Sequence, residues 1–266
     1  LLKFYQLTKV LNEGDCLIVN QTKVIPAQLT GVSNNKFISI TLNRIISKNP
    51  SLVWNAIVKP LKKIKIKSEI IFSKKLKGIV NNINSSRNGE IEIEFEYDYM
   101  KFFEILKSEG KLALPPYITK SRVFDKKDNI TYQTMFAKDE GAVAAPTASL
   151  HFTKELLNRL TKKGIKIVKV LLHVNGATFL PIKTENINNH EMHYEYGEVS
   201  KNAAQTINNA RKDGKKCIAV GTTVLRLLET AKEKNNNISP FRGETNIFIK
   251  PGAKVTSVDG IITNFH

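Results

Sequence analysis

The pattern of apolar residues changes twice along this chain, near residues 30 and 111, and no single repeating unit accounts for both parts. Between those points the apolar runs are short, at residues 37–42, 52–58, 69–72 and 89–97, and Asn, Ser, Lys and Gly separate them. Such spacing predicts a small all-β unit. The clearest strand is Glu90-Ile91-Glu92-Ile93-Glu94-Phe95-Glu96, where period two sends Ile91, Ile93 and Phe95 to the core and the four carboxylates to solvent.

Residues 59–67 concentrate five Lys around a β-like alternation. Two readings fit it, a surface that tracks phosphates and a Lys-blunted edge strand. Ahead of the all-β part, residues 15–29 read DCLIVNQTKVIPAQL, two strands joined by a polar Asn-Gln-Thr-Lys turn, with Pro26 at an edge or bulge.

Beyond a helical run at residues 98–106 and the turn-rich Leu114-Pro115-Pro116-Tyr117, helix and strand alternate. Residues 153–163 place Leu156, Leu157 and Leu160 on one helical face and stop at Gly164. Residues 165–174 form a buried strand, Ser200 opens a helix that Gly214 ends, and Cys217–Val220 is a strand running into Gly221-Thr222-Thr223 and a further helix. This part is α/β. Strand, Gly-Thr-Thr, helix is an arrangement that collects ligands, because a helix amino terminus offers free N–H groups and partial positive charge beyond the strand's carboxyl end. Thr is also an ordinary N-cap.

With 266 residues the chain can hold two domains, and 41% hydrophobic residues argue for a folded protein. No apolar run approaches membrane-spanning length, and residues 1–15 lack the charged, apolar and small-residue succession of a signal peptide, so a cytoplasmic protein without a membrane partner is expected. The formal charge of +17 would draw a polyanion such as nucleic acid. Lys supplies 34 of the 41 basic residues beside abundant Asn and Ile, so coding-sequence composition is an alternative source of that charge. Only Cys16 and Cys217 are present, which disfavours a disulfide framework or a cysteine metal site and fits reducing cytosol.

The candidate chemistry clusters in the α/β part. Residues 132–152, YQTMFAKDEGAVAAPTASLHF, crowd small residues and Pro146 between polar ends, which suits either close ligand approach to the backbone or tight structural packing. His151, His173, His190 and His193 all lie in this loop or after it. His190 and His193, spaced i, i+3 with Glu191 or Glu195 nearby, are a conceivable metal pair, and a metal hydrolase is one reading; acid–base or substrate contact is the better use of the imidazoles, and no metal is expected. Residues 173–179 are a second strand-to-loop transition that could wall the same pocket, and Val258 to His266 ends in Asp, Asn and His.

Seven ordered blocks together resemble the S-adenosylmethionine:tRNA ribosyltransferase-isomerases of queuosine biosynthesis. They are GDCLIVNQTKVIPAQL, LPPYI, YQTMFAKDEGAVAAPTASLHFT, LLHVNGATFLPI, HEMHYEY, AVGTTVLRLLET and TNIFIKPG through ITNFH, and they span nearly the whole chain. The resemblance implies a β-barrel-like domain at residues 30–111 inserted into a discontinuous α/β domain at residues 1–29 and 112–266, with family segments missing at both ends. It implies a tRNA bearing 7-aminomethyl-7-deazaguanine at the wobble position as partner. S-adenosylmethionine would be co-substrate and ribosyl donor, no cofactor would be needed, and the products would be epoxyqueuosine-tRNA, adenine and methionine. A tRNA-binding protein of the same fold without turnover is the alternative, and a monomer is expected.

On this reading His151, His173 and His193 are candidate acid–base groups, with Asp259 as an alternative base. Thr147, Gly221, Thr222 and Thr223 would hold the methionine or adenosine portion, and Arg226 would pair an anion. The chain departs from the family pattern at Asn175-Gly176-Ala177, where Gly-Ala-Gly is expected, at Gln28 in place of Arg, and at Ser149 in place of Gly. A reshaped 175–177 loop is therefore expected, because Ala tolerates the left-handed region poorly.

Overall fold

A computed structural model describes residues 2–84, 89–179, 187 and 192–264. Its first strands are β1 (Cys16–Asn20), β2 (Thr22–Val24), β3 (Gln28–Ser33), β4 (Lys36–Ser47), β5 (Leu52–Lys59), β6 (Glu69–Ser73), β7 (Leu76–Asn84) and β8 (Glu90–Phe95). Helices α1 (Tyr99–Glu109), α2 (Pro116–Ser121) and α3 (Asp128–Thr131) follow. Then come β9 (Asp139–Ala142), α4 (Lys154–Lys162), β10 (Lys166–Leu172), β11 (Glu195–Val199), α5 (Lys201–Lys212), β12 (Cys217–Val220), α6 (Thr222–Ala231), β13 (Phe241–Thr245) and β14 (Gly260–Ile262). The chain divides into two compact units, Leu1–Lys23, Asn129–Val174 and Ile182–His266 in one, Val24–Asp128 and Asn175–Pro181 in the other.

The second unit is built on a closed barrel in the order β3-β4-β5-β8-β7-β6. Alternation explains it: Leu29, Ile40, Leu42, Trp54, Val58, Ile91, Ile93 and Phe95 are buried, and closure leaves no open edge. Helix α1, capped by the Asp98 carboxylate on Lys101 N–H (2.9 Å), packs Phe102 against Phe95 at 4.5 Å and Trp54 at 5.8 Å between ring centroids. This unit also takes in residues 24–29, 112–128 and 175–181. The physical reason is backbone pairing, since Gln28 exchanges both N–H···O bonds with Lys111 (2.8 and 2.9 Å) and draws the flanking chain onto the barrel.

Two expectations about this unit need correction. Glu90 does not face solvent with its neighbours; it is buried and accepts from Asn55 Nδ2 (3.2 Å), which itself accepts from Asn43 Nδ2 (3.0 Å). Residues 59–67 do not alternate as a strand either. Lys59 ends β5, Leu61–Lys63 is a 3-10 turn and Lys67 turns with φ 66°, so the lysines decorate a loop rather than an edge.

The first unit is an α/β sheet in the order β13-β11-β10-β1-β12-β14, beside a small β2-β9 pair. Strands β10, β1, β12 and β14 run parallel, and β11 and β13 join antiparallel. All five residues of β1 are buried, because both faces are covered. Cys16 and Ile18 join the core with Ala203, Ile207 and Leu227 of α5 and α6, whereas Leu17 and Val19 join Phe152, Leu156 and Leu160 around α4. Thr153 and Ser200 cap α4 and α5 through their hydroxyls; the sequence placed Ser200 as a helix opener and Thr153 as the first helical residue. Cys16 and Cys217 lie in register on neighbouring strands, both free and buried. Among the described residues no helix is long and apolar enough to cross a membrane.

Candidate active site

The parallel strands of the α/β unit place their carboxyl ends at one sheet edge, and chain leaves that edge as Gln21 after β1, His173 after β10, Gly221 after β12 and Thr263 after β14. Asn20, fully buried, fixes the first exit. Its amide donates to Leu172 O (2.8 Å) and accepts from Leu172 N–H and Thr22 N–H (3.1 Å each), so β1 and β10 are locked together as they end.

That lock sets Thr22 beside His173. The Thr22 hydroxyl lies 2.8 Å from His173 Nδ1, and the Tyr196 ring stacks on the imidazole at 6.0 Å and 23°. The third contact comes from Gly141 in the small-residue loop, whose φ is 155° and where a Cβ would stand 2.7 Å from His173 Nε2 and Cε1. Glycine is therefore required for the loop to reach the imidazole. The loop is tied there by Val143 N–H to Val174 O at 2.8 Å. Tyr196 hydrogen-bonds Glu198 and accepts from Arg242 Nε (2.9 Å); burial first, then the Glu198 carboxylate, pushes its phenol up.

A second group forms at the neighbouring exits. His151 Nε2 is 2.8 Å from Asn264 Oδ1, and Asn264 Nδ2 donates to Thr147 Oγ1 at 3.1 Å. With the amide so oriented, His151 donates from Nε2 to Asn264 Oδ1. Gly221, with φ 91°, opens α6 and donates its N–H to Ile262 O (2.8 Å). A Cβ on Gly221 would stand 3.8 Å from Ala148 Cβ, so the small-residue loop also runs beside the α6 amino terminus. The Thr223 hydroxyl and the Ser149 hydroxyl are both buried without a hydrogen-bond partner among the described residues.

Residues 2–266 match a family described as queuosine biosynthesis protein. The chain belongs to that family. Among its relatives, the S-adenosylmethionine:tRNA ribosyltransferase-isomerase of Zymomonas mobilis is 44% identical over 261 residues, covering 98% of this chain and 74% of the relative. That of Caldanaerobacter subterraneus is 44% identical over 265 residues, covering 99% and 75%. A crystal structure of S-adenosylmethionine tRNA ribosyltransferase from Thermotoga maritima aligns over 99% of this chain and 71% of that one, at 25% identity and a TM-score of 0.43.

In this member of the queuosine biosynthesis family, His151, His173, Thr147, Gly221, Thr222 and Thr223 all fall at the carboxyl edge. His193 lies two residues before β11, whose antiparallel entry starts at that same edge. His190 and Glu191 lie outside the described residues, and Glu195 is not available as a metal ligand because it pairs with Arg226. Among the described residues no group of three or more His, Cys, Asp or Glu side chains is placed to hold a metal.

Two candidates move. Asp259 accepts from Cys217 N–H (2.7 Å) and donates its own N–H to Cys217 O (2.8 Å), and Cys217 is the first residue of β12. Parallel strand direction thus puts Asp259 at the amino edge, away from the histidines, where it clamps strand starts instead of taking a proton. Arg226 is not a free anion receptor, since Glu195 neutralises it and Ile247 O accepts from its Nε at 3.1 Å. Of residues 173–179, His173 belongs to the α/β unit and Gly176–Phe179 is a 3-10 turn in the barrel unit. Ala177 needs no left-handed backbone in that turn, and the Asn175 side-chain oxygen Oδ1 accepts its N–H at 3.0 Å. Thr22 and Tyr196 are the functional neighbours that the sequence reading missed. Thr22 sat in a segment read only as a turn, and Tyr196 in a block read for its histidines.

Proposed function

We propose that this chain is an S-adenosylmethionine:tRNA ribosyltransferase-isomerase of queuosine biosynthesis, acting in the cytoplasm as a monomer on tRNA that carries 7-aminomethyl-7-deazaguanine at the wobble position. Membership of the family and relatives bearing that name at 44% identity support the reading. The observation that carries the chemistry is the imidazole of His173, held at the carboxyl edge by Thr22, Tyr196 and the backbone of Gly141.

S-adenosylmethionine is co-substrate, and the scheme needs neither cofactor nor metal. The sulfonium acidifies the adjacent ribose carbon, a base removes that proton, adenine departs, and the tRNA amine receives the rearranged ribosyl group as methionine is released. His173 is the base we favour, because a ring fixed on three sides delivers its nitrogen to one place. His151 is the candidate for protonating the departing adenine, with His193 as the third imidazole at this edge. The Gly221 amino terminus of α6, with Thr222, Thr223 and Thr147, holds the methionine carboxylate or the adenosine hydroxyls.

The test is adenine release from S-adenosylmethionine in the presence of precursor-bearing tRNA. Wild type should release adenine, and His173→Ala should lose about 10²–10⁴-fold in rate while still binding tRNA. Tight tRNA binding by wild type without adenine release would establish a binding protein of the same fold instead.

A further inference from the structure

The barrel unit carries a recess that the chemistry above does not use. It has a volume of about 390 Å³, within the range of small-molecule sites, and lies on the outer flank of β3, β4 and β5. Strand alternation explains the location: Leu29, Ile40, Leu42 and Val58 point to the core, while Gln28, Ser39, Thr41 and Lys59 line the recess. The segment from Lys111 to Phe124 and the turn ending at Phe179 form the other walls.

Its polar floor is prearranged. The backbone of Gln28 is fixed by its two bonds to Lys111, and its side-chain amide donates to Ser39 Oγ (2.6 Å) and accepts from Thr41 Oγ1 (2.7 Å). An amide has two N–H donors and two carbonyl lone pairs, so one donor and one acceptor remain on the Gln28 side chain. That pair matches the edge of a purine base, which presents an acceptor beside a donor. Lys59 and Lys111 bring two ammonium groups with no ion-pair partner among the described residues, and Phe124 and Phe179 bring two rings. Amide, cations and aromatic faces in one recess are what recognition of a single-stranded nucleotide requires: edge, phosphate and base face.

We propose that this recess takes one unstacked purine nucleotide of the tRNA anticodon loop, its base edge on the Gln28 amide and its phosphate between Lys59 and Lys111. The inference rests on tRNA being the substrate. It adds a nucleotide-reading site on the barrel unit.

The probe is a fluorescently labelled anticodon stem-loop RNA, in a series where each loop purine in turn is replaced by an abasic residue, with binding followed by anisotropy. Wild type should lose about tenfold in affinity for one abasic position and little at the others. Gln28→Glu, which keeps the size of the side chain but removes the donor, and Phe124→Ala should each abolish that position-specific loss. Lys111→Gln should lower the slope of log K against log salt by about 0.7. Thermal melts of each variant check folding. Equal losses at every loop purine, or the same selective loss in wild type and both variants, would overturn the proposal. Adenine release by wild type on full-length precursor tRNA is measured separately. Release together with an unchanged abasic pattern sinks the recess and leaves the enzyme, whereas a selective pattern without release keeps the recess and removes the activity.

Discussion

Strand β1 of the α/β sheet and strand β8 of the barrel are of similar length and solve opposite problems. Every residue of β1 is buried, because helices cover both faces, whereas β8 buries Ile91, Ile93 and Phe95 and leaves Glu92 and Glu94 partly exposed. A strand covered on both sides has no lateral surface on which to carry polar chemistry, so the α/β unit concentrates it where strands end. The barrel strands turn one face outward, and polar groups line that face, as Gln28, Ser39 and Thr41 do. The two units therefore offer two kinds of site, a strand-end cluster suited to catalysis and a flank recess suited to recognition.

The most severe way to break that contrast is to place a charge in β1. Ile18→Asp, at a fully buried position, should lower stability by more than about 4 kcal/mol and leave little folded protein, as read by denaturant unfolding. Next comes the buried Arg226–Glu195 pair behind the strand-end site, whose side chains are 14% and 4% exposed. Glu195→Gln should cost about 3 kcal/mol by stranding the guanidinium, and the double change Glu195→Leu with Arg226→Met should recover most of it. A recovery of nothing would show that the pair has a role other than mutual compensation.

Gly141→Ala tests the strand-end cluster without removing a reactive group. The new methyl would collide with the His173 ring, and adenine release should fall about 100-fold with only a modest change in melting temperature. Undiminished release would mean that the imidazole position is irrelevant to catalysis. In the barrel unit, Arg122 holds the Asp128 carboxylate with two hydrogen bonds, 2.8 and 2.6 Å, and with the Asp125 N–H lowers its pKa from 3.8 to about 2. A depressed carboxylate stabilises the fold above its ordinary pKa, so this contribution should be constant above about pH 5 and fade as pH falls from 3.8 through about 2. The stability difference between wild type and Asp128→Asn should close over that window. The smallest effect belongs to the exposed face of β8, where Glu94→Gln should stay within about 0.5 kcal/mol.

Much of this was legible from particular residues. The alternation at residues 90–96 gave the β8 core, Thr153 and Ser200 gave the starts of α4 and α5, and Gly221-Thr222-Thr223 gave the start of α6, because each signal is local. Strand β7 was missed, since Leu76-Lys77-Gly78-Ile79-Val80-Asn81-Asn82 carries too few apolar residues in alternation to stand out. Glu90 was misread because period two assigns a face, and only the pairing with β5, which sets Ile57 opposite Glu90, brings Asn55 two residues away on that strand close enough to donate to the carboxylate.

What the chain alone determined, then, is composition, element type, capping and the ordered blocks that mark the queuosine biosynthesis family, all of which depend on neighbours a few residues apart. Which groups meet was a tertiary decision. Thr22 reaches His173 across 151 positions, and Asp259 is carried to the opposite edge from His173 although both lie near strand ends. The reason is strand direction: sequence spacing says that a residue borders a strand, but only the parallel order of the sheet says at which end it stands and what it faces.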